Sequence, residues 1–358
     1  MITKRLFDYH PCGTPLYAYE LKGSGIVSAT ILDYGATLNS IFVTDKDGIT
    51  RDVIGGFDKV LDYIDSGEYQ GSTVGRVCNR LKNAEYILNG VKYSTYKNEG
   101  NNVCHAGRFG YNAKIWSVEE LDDEKEPSLK LTYISPDGEE GFPGTVTVTV
   151  TYTITESNGV SINYEATTDK TTIINLTNHA YFNMNGYDNG NMENHIIRMN
   201  ADTFNETDVE LIPTGNFTDV TGTPFDMRKP VVIKNVLFGD NDKIRELGGL
   251  DTNFILNDYD GTVKHQADFY SPLTGIGMKV YTNQTSILVY TSNIIKDTEP
   301  DMKNGVKQIS HFGACFEASS MPDAINHPNF DNTILNPGEK YDKTTIFEFS
   351  NNVCDIEY

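Results

Sequence analysis

Thr145-Val146-Thr147-Val148-Thr149-Val150-Thr151-Tyr152-Thr153-Ile154-Thr155 alternates without a break. Threonine holds every odd position and an apolar residue every even one. On a strand this places all the hydroxyls on one face and Val, Tyr and Ile on the other. Glu156 to Gly159 reads as a short turn, and Ser161-Ile162-Asn163-Tyr164-Glu165-Ala166 alternates again, so the two runs form a hairpin. A second hairpin is signalled by Tyr86-Ile87-Leu88-Asn89-Gly90-Val91-Lys92-Tyr93, where Asn-Gly supplies the two positive-φ positions of a tight turn. Further strands are expected at 26–32, 129–134, 278–282, 287–291 and 345–349. Helical signals are short, the best being Lys59 to Ile64. No linker, low-complexity tract or fixed-period repeat interrupts the chain. The expectation is an all-β protein, a large many-stranded antiparallel sandwich or barrel, forming a single domain over residues 1–358.

The 358 residues are 38% hydrophobic and 22% charged, which is ordinary globular material. Lys and Arg number 29 against 50 Asp and Glu, a net charge of −21. That balance argues against nucleic acid or an anionic membrane as partner, since phosphate contacts need clustered cations. No run approaches the 18 apolar residues of a membrane span, and the start, Met1 to Asp8, lacks the apolar stretch of a signal peptide. Cys12, Cys78, Cys104, Cys315 and Cys354 are odd in number and form no Cys-x-x-Cys. This fits reduced thiols and a cytoplasmic location. The sequons at Asn175 and Asn283 are then chance matches.

Phosphate loops, dinucleotide fingerprints, zinc spacings and serine elbows are all missing. Chemistry must therefore rest on His, carboxylates and Arg. Of seven histidines, His10, His195, His265 and His327 have polar or turn-like surroundings and read as surface residues, and His311 as core or surface. His105 closes the amide-rich loop Asn101-Asn102-Val103-Cys104-His105-Ala106-Gly107. His179 sits in Asn175-Leu176-Thr177-Asn178-His179-Ala180-Tyr181-Phe182-Asn183, at a probable strand end, where residues often line a pocket. The plain alternatives are a hydrogen-bonded loop histidine for His105 and a satisfied core histidine for His179. Glu317 is a lone carboxylate on the apolar run 312–319; it points either to solvent from an edge strand or to a task. Asp251, after Gly248-Gly249-Leu250, reads as a turn residue. Arg76 and Arg80 flank Val77-Cys78-Asn79, a set of donors suited to a polyhydroxylated ligand or to surface ion pairs.

Taken in order, these segments resemble the aldose 1-epimerase family. The likeness rests on Gly75 to Arg80, Asn101-Asn102 with His105-Ala106-Gly107, Asn175 to Asn183 and Leu250-Asp251-Thr252-Asn253-Phe254. It continues through Tyr290-Thr291-Ser292-Asn293, Phe316-Glu317, the run Pro322 to Phe330 and Leu335 to Tyr341. The resemblance spans about residue 13 to 349. It implies a supersandwich of the galactose mutarotase type with a sugar cleft on one sheet. It also implies catalytic roles for His179 as general acid and Glu317 as general base, with sugar binding by Asn79, Arg80, His105, Tyr181 and Asp251. Three departures stand out. Cys78 replaces the family's usual Ala, the run Cys315 to Ser319 diverges, and Leu288 stands where relatives carry a sugar-contacting Gln.

Exchanging α and β anomers opens and recloses a sugar ring. One acid and one base suffice, so no cofactor and no metal is expected. Ordinary values near 6.5 for His and 4.3 for Glu would give usable states at neutrality, with Asp251 expected to help hold His179 protonated. The expected partner is a small monosaccharide, with the chain a monomer or homodimer. Alternatives are a hexose-6-phosphate 1-epimerase, a non-catalytic sugar-binding protein of the same fold, and a glycoside hydrolase, which needs two carboxylates flanking the bond.

Overall fold

The alternating threonine run folds as the strand Val146–Ile154. Val146, Val148, Val150 and Tyr152 are fully buried, while Thr147 is exposed and Thr149, Thr151 and Thr153 are half-buried. Each such side chain removed from water stabilises the fold by about 1.5–3 kcal/mol, which pins the register. The strand pairs with Gly159–Thr168 without a bulge, from Val146 opposite Thr168 to Ile154 opposite Val160. The second hairpin is Glu85–Leu88 with Val91–Ser94, and Asn89 and Gly90 take φ of 51° and 79°. The computed structural model describes residues 1–121, 123, 125–296 and 298–352, so Cys354 lies outside the described residues.

Three antiparallel sheets dominate. A nine-stranded sheet runs in the order Ser117–Leu121, Ser128–Ser135, Val146–Ile154, Gly159–Thr168, Tyr341–Ser350, Gly277–Thr282, Lys264–Tyr270, Ile196–Met199 and Val231–Val232. A five-stranded sheet holds the first five strands, Ile2–Tyr9 to Thr50–Asp52, in sequence order. A six-stranded sheet runs Tyr181–Phe182, Ala314–Ser319, Ser286–Tyr290, Asp251–Ile255, Thr203–Thr207 and Pro213–Asp219. One hydrophobic cluster joins all three, from Tyr19 and Leu38 through Val148, Val289 and Phe316 to Phe349. The expected all-β sandwich is what the chain forms. The strands expected from the pattern fall within a few residues of those observed, and the short helix is Val60–Asp65.

Several expectations change. Two further helices, Ile233–Leu237 and Asp242–Leu247, were not expected; the second is capped by the Asn241 side chain and closed by Gly248 at φ 69°. Asp251 opens a strand rather than a turn. Arg76 is not at the surface: it is 2% exposed and donates to the carbonyls of Pro143 and Gly144 and the hydroxyl of Ser135. It staples loops and takes no part in a cleft. His195 is likewise not a surface residue but fully buried, stacked on Phe269, with Nε2 accepting the Met184 N–H at 2.9 Å. A polar neighbourhood in sequence misled because the contacts that bury this ring come from distant strands. His311 is buried, its Nε2 2.8 Å from the Gly248 carbonyl.

Burial holds His195 neutral, pushed down to about 3. Unfolding releases it to its ordinary value, so the unfolded chain binds the extra proton below about pH 6.5 and stability falls as pH drops. Between pH 7 and pH 5 this one ring costs about 2 kcal/mol. His195→Gln, which offers the Met184 N–H another acceptor, should lose about that much less stability over the same interval in denaturant unfolding. Equal pH slopes for both proteins would show that His195 is not buried neutral.

Candidate active site

The six-stranded sheet builds the floor of a cleft of about 580 Å³. Its register explains the lining. Cys315 lies opposite Tyr181 on one side and Tyr290 on the other, and Tyr290 lies opposite Asp251. Two residues along, Glu317 lies opposite Leu288, and Leu288 opposite Asn253. Directly opposed residues share a sheet face, so the first row presents Tyr181, Cys315, Tyr290 and Asp251 together, and the second presents Glu317 beside Leu288. Alternation sends Ala314, Phe316 and Ala318 the other way, into the main core. Glu317 is therefore on an interior strand of the sheet, 2% exposed, and not on an edge facing solvent.

The wall comes from two loops joined by the small ladder of Arg80–Leu81 with Val103–Cys104. Asn79 and His105 both adopt left-handed backbone, at φ 60° and 54°. Such conformations are costly for side-chain-bearing residues and persist where surrounding bonds hold them. Here the Asn79 N–H donates to His105 Nδ1 at 3.3 Å, and the Asn79 side chain accepts the Arg80 N–H at 2.7 Å. The Arg80 guanidinium is gripped by Glu99 through two bonds of 2.8 and 3.0 Å and lies 3.4 Å from Asp251.

Between floor and wall, His179 Nε2 is 3.4 Å from Glu317 Oε1. The His105 ring meets the His179 ring edge-on at 5.2 Å, and Tyr69 packs 4.7 Å from His105. Tyr181 lies 5.1 Å from His179, and its hydroxyl donates to Glu68 at 2.9 Å. All seven residues expected from the sequence — His179, Glu317, Asn79, Arg80, His105, Tyr181 and Asp251 — line this one cleft, and Leu288 lines it too. Glu68, Tyr69, Glu99 and Tyr290 also line it and were missed. Glu99 adjoins the amide-rich loop, so the loop itself was the clue. Glu68 and Tyr69 lie in an irregular stretch with no pattern to read.

Electrostatics differ from the expectation of ordinary values. Burial pushes His179 down to about 4. Burial, then the Asp251 charge, pushes Glu317 well above the usual carboxylate range, against the opposing pull of Arg80. Burial, His179 and Arg80 together hold His105 well below its ordinary value. Asp251 thus acts on Glu317 and pairs with Arg80, instead of holding His179 protonated. The pair therefore favours its neutral form, with one proton on Glu317 and His179 uncharged. Glu317 Oε2 has no hydrogen-bond partner among the described residues.

The chain matches the family model described as aldose 1-epimerase over residues 17–348. It is 35% identical to the galactose mutarotase of Bos taurus, covering 98% of each chain. It is 31% identical to the aldose 1-epimerase of Escherichia coli K12, covering 95% of this chain and 96% of that one.

The chain belongs to the aldose 1-epimerase family.

Among solved structures, galactose 1-epimerase from Lactobacillus acidophilus superposes with a TM-score of 0.85 at 26% identity, covering 98% of this chain and 99% of that one. A GalM/aldose epimerase homologue from C. elegans gives 0.84 at 29% identity, covering 93% and 98%.

One atom each of His105, His179 and Glu317 lie mutually within 4.8 Å, a spacing that suits a divalent metal. The surroundings of this epimerase cleft do not suit one. A metal-ligating imidazole donates its far N–H to an acceptor. His105 instead accepts a backbone N–H at Nδ1, so its one proton sits on Nε2, where a metal needs a lone pair.

Glu99 holds Arg80 through its Nε and Nη2 donors, beside Asp251 at 3.4 Å. Glu99→Ala should let the guanidinium swing, raising KM for galactose about fivefold, one hydrogen bond's worth, with kcat changed less than twofold. An unchanged KM in steady-state kinetics would show that Asp251 alone positions Arg80.

Proposed function

We propose that His179 and Glu317 carry the aldose 1-epimerase reaction as its acid–base pair. The protein is an isomerase that interconverts the α and β anomers of a neutral aldohexose such as galactose or glucose. The observation that carries the residue assignment is the 3.4 Å approach of His179 Nε2 to Glu317 Oε1, both buried, in a cleft walled mostly by polar side chains.

Ring opening moves a proton onto the ring oxygen and takes one from the anomeric hydroxyl. A pair that shares a single proton does both: His179 donates to the ring oxygen while Glu317 accepts from the hydroxyl, and the pair ends with the proton on Glu317. The open aldehyde turns about the bond to its neighbouring carbon, and reversal of both transfers closes the ring on its other face. Burial favours the neutral member of this cycle, and Arg80 offsets that bias by favouring ionised Glu317. Arg80, Asn79, Tyr181 and Asp251 orient the sugar. His105, whose Nε2 carries a proton toward the cleft, donates to a sugar oxygen rather than exchanging protons.

With Glu317 neutral, Glu68, Glu99 and Asp251 match Arg80, Arg108 and Lys296 in number around the cleft, and Arg80 is already paired, so no cluster of free cations awaits a phosphate. That balance supports a neutral sugar over a sugar phosphate. Cys12, Cys78, Cys104 and Cys315 are free thiols, which supports a cytoplasmic location. The working unit in this reading is the whole chain, as a monomer or homodimer, with a monosaccharide rather than nucleic acid or membrane as its partner.

Glu317→Gln or His179→Asn should lose at least two decades of turnover, the value of one placed acid or base. Polarimetry of freshly dissolved α-galactose measures this. Near-normal anomerisation by either folded variant refutes the assignment.

The pH profile gives a separate check. With His179 near 4 rather than 6.5, it takes a second proton only in strongly acid solution. The wild-type kcat/KM should therefore fall less than about twofold as pH drops from 6.5 to 5.5. An acid limb centred near 6.5 would mean that the imidazole titrates as though in water.

A further inference from the structure

His179 and His105 stand edge to edge, and what faces Nδ1 tells them apart. At His105 it is the Asn79 backbone N–H, which can only donate. At His179 it is Cys315 Sγ, 3.5 Å away, an ordinary length for a bond to sulfur. A thiol sulfur can accept. An imidazole that exchanges a proton at Nε2 must keep the other proton on Nδ1 in both charge states, so Nδ1 needs an acceptor.

The strand Ala314–Ser319 supplies both partners. Cys315 and Glu317 are two residues apart and share the cleft face, Cys315 reaching Nδ1 and Glu317 reaching Nε2. One strand thus grips both nitrogens of one ring. Cys315 is fully buried, and burial keeps its thiol protonated, far from any thiolate role. We propose that Cys315 is a positioning residue whose sulfur accepts the His179 Nδ1–H and so reserves Nε2 for proton exchange with the sugar. The inference rests on His179 being the exchanging acid of the reaction above.

Kinetics and nitrogen-15 NMR of the histidine-labelled protein test it together, with His179→Asn and His105→Asn spectra giving the assignments. In the wild type, His179 should show its proton on Nδ1 and His105 on Nε2. Cys315→Ala removes the acceptor. His179 should then spread over both tautomers and kcat fall about fivefold, one ordinary hydrogen bond, with KM for galactose within about twofold. Cys315→Ser supplies an oxygen acceptor and should restore both readouts. A wild-type His179 protonated on Nε2 instead of Nδ1 overturns the proposal, and so does wild-type kcat in Cys315→Ala. Should Cys315→Ala not fold, the wild-type spectrum decides alone. The spectrum needs no turnover, so a failure here is distinct from an active His179→Asn, which would sink the function itself.

Discussion

Desolvation of one imidazole and one carboxylate is the constraint around which the cleft is built. Each charged form is expensive away from water, which is why both members of the pair shift toward neutrality. Burial makes the ion-paired form the costlier one, and Arg80 lowers that cost by favouring ionised Glu317. The same burial leaves His179 and Glu317 with a single mobile proton between them, as the acid–base exchange proposed above requires.

The rest of the site keeps that pair tunable. Arg80 favours ionised Glu317, while Asp251 opposes it and Glu99 takes up two of the guanidinium's five donors. These three groups set the balance between neutral and ion-paired forms without contacting the proton that moves. The backbone contributes as well. The left-handed turns at Asn79 and His105 aim a main-chain N–H at an imidazole, and this fixes His105 as a donor. Two neighbouring histidines, chemically identical in isolation, thus meet different partners at Nδ1.

The sheets supply rigidity where the chemistry needs it. Glu317 and Cys315 lie on an interior strand paired on both sides, and Phe316 between them packs into the main core. Shifting the register of this strand by one would bury the carboxylate in the apolar interior and turn Phe316 into the cleft. The packing of Ala314, Phe316 and Ala318 therefore guards the geometry of the cleft as well as stability.

Fold class was legible because alternation is a local property: Thr145 to Thr155 announces its two faces with no knowledge of partners. The seven site residues were legible as a family resemblance, and the cross-strand register then accounts for why they meet. Ionisation and partnership were not legible. Nothing near His195 in the chain says that Phe269 and Met184 will enclose it, and nothing near Arg76 says that it will staple Pro143 and Gly144. The ordinary pKa expected for His179, and the help expected from Asp251, failed for the same reason. Sequence determines which faces and donors exist; only the tertiary structure, by bringing distant strands into contact and removing water, decides what each of them faces and which charge it can bear.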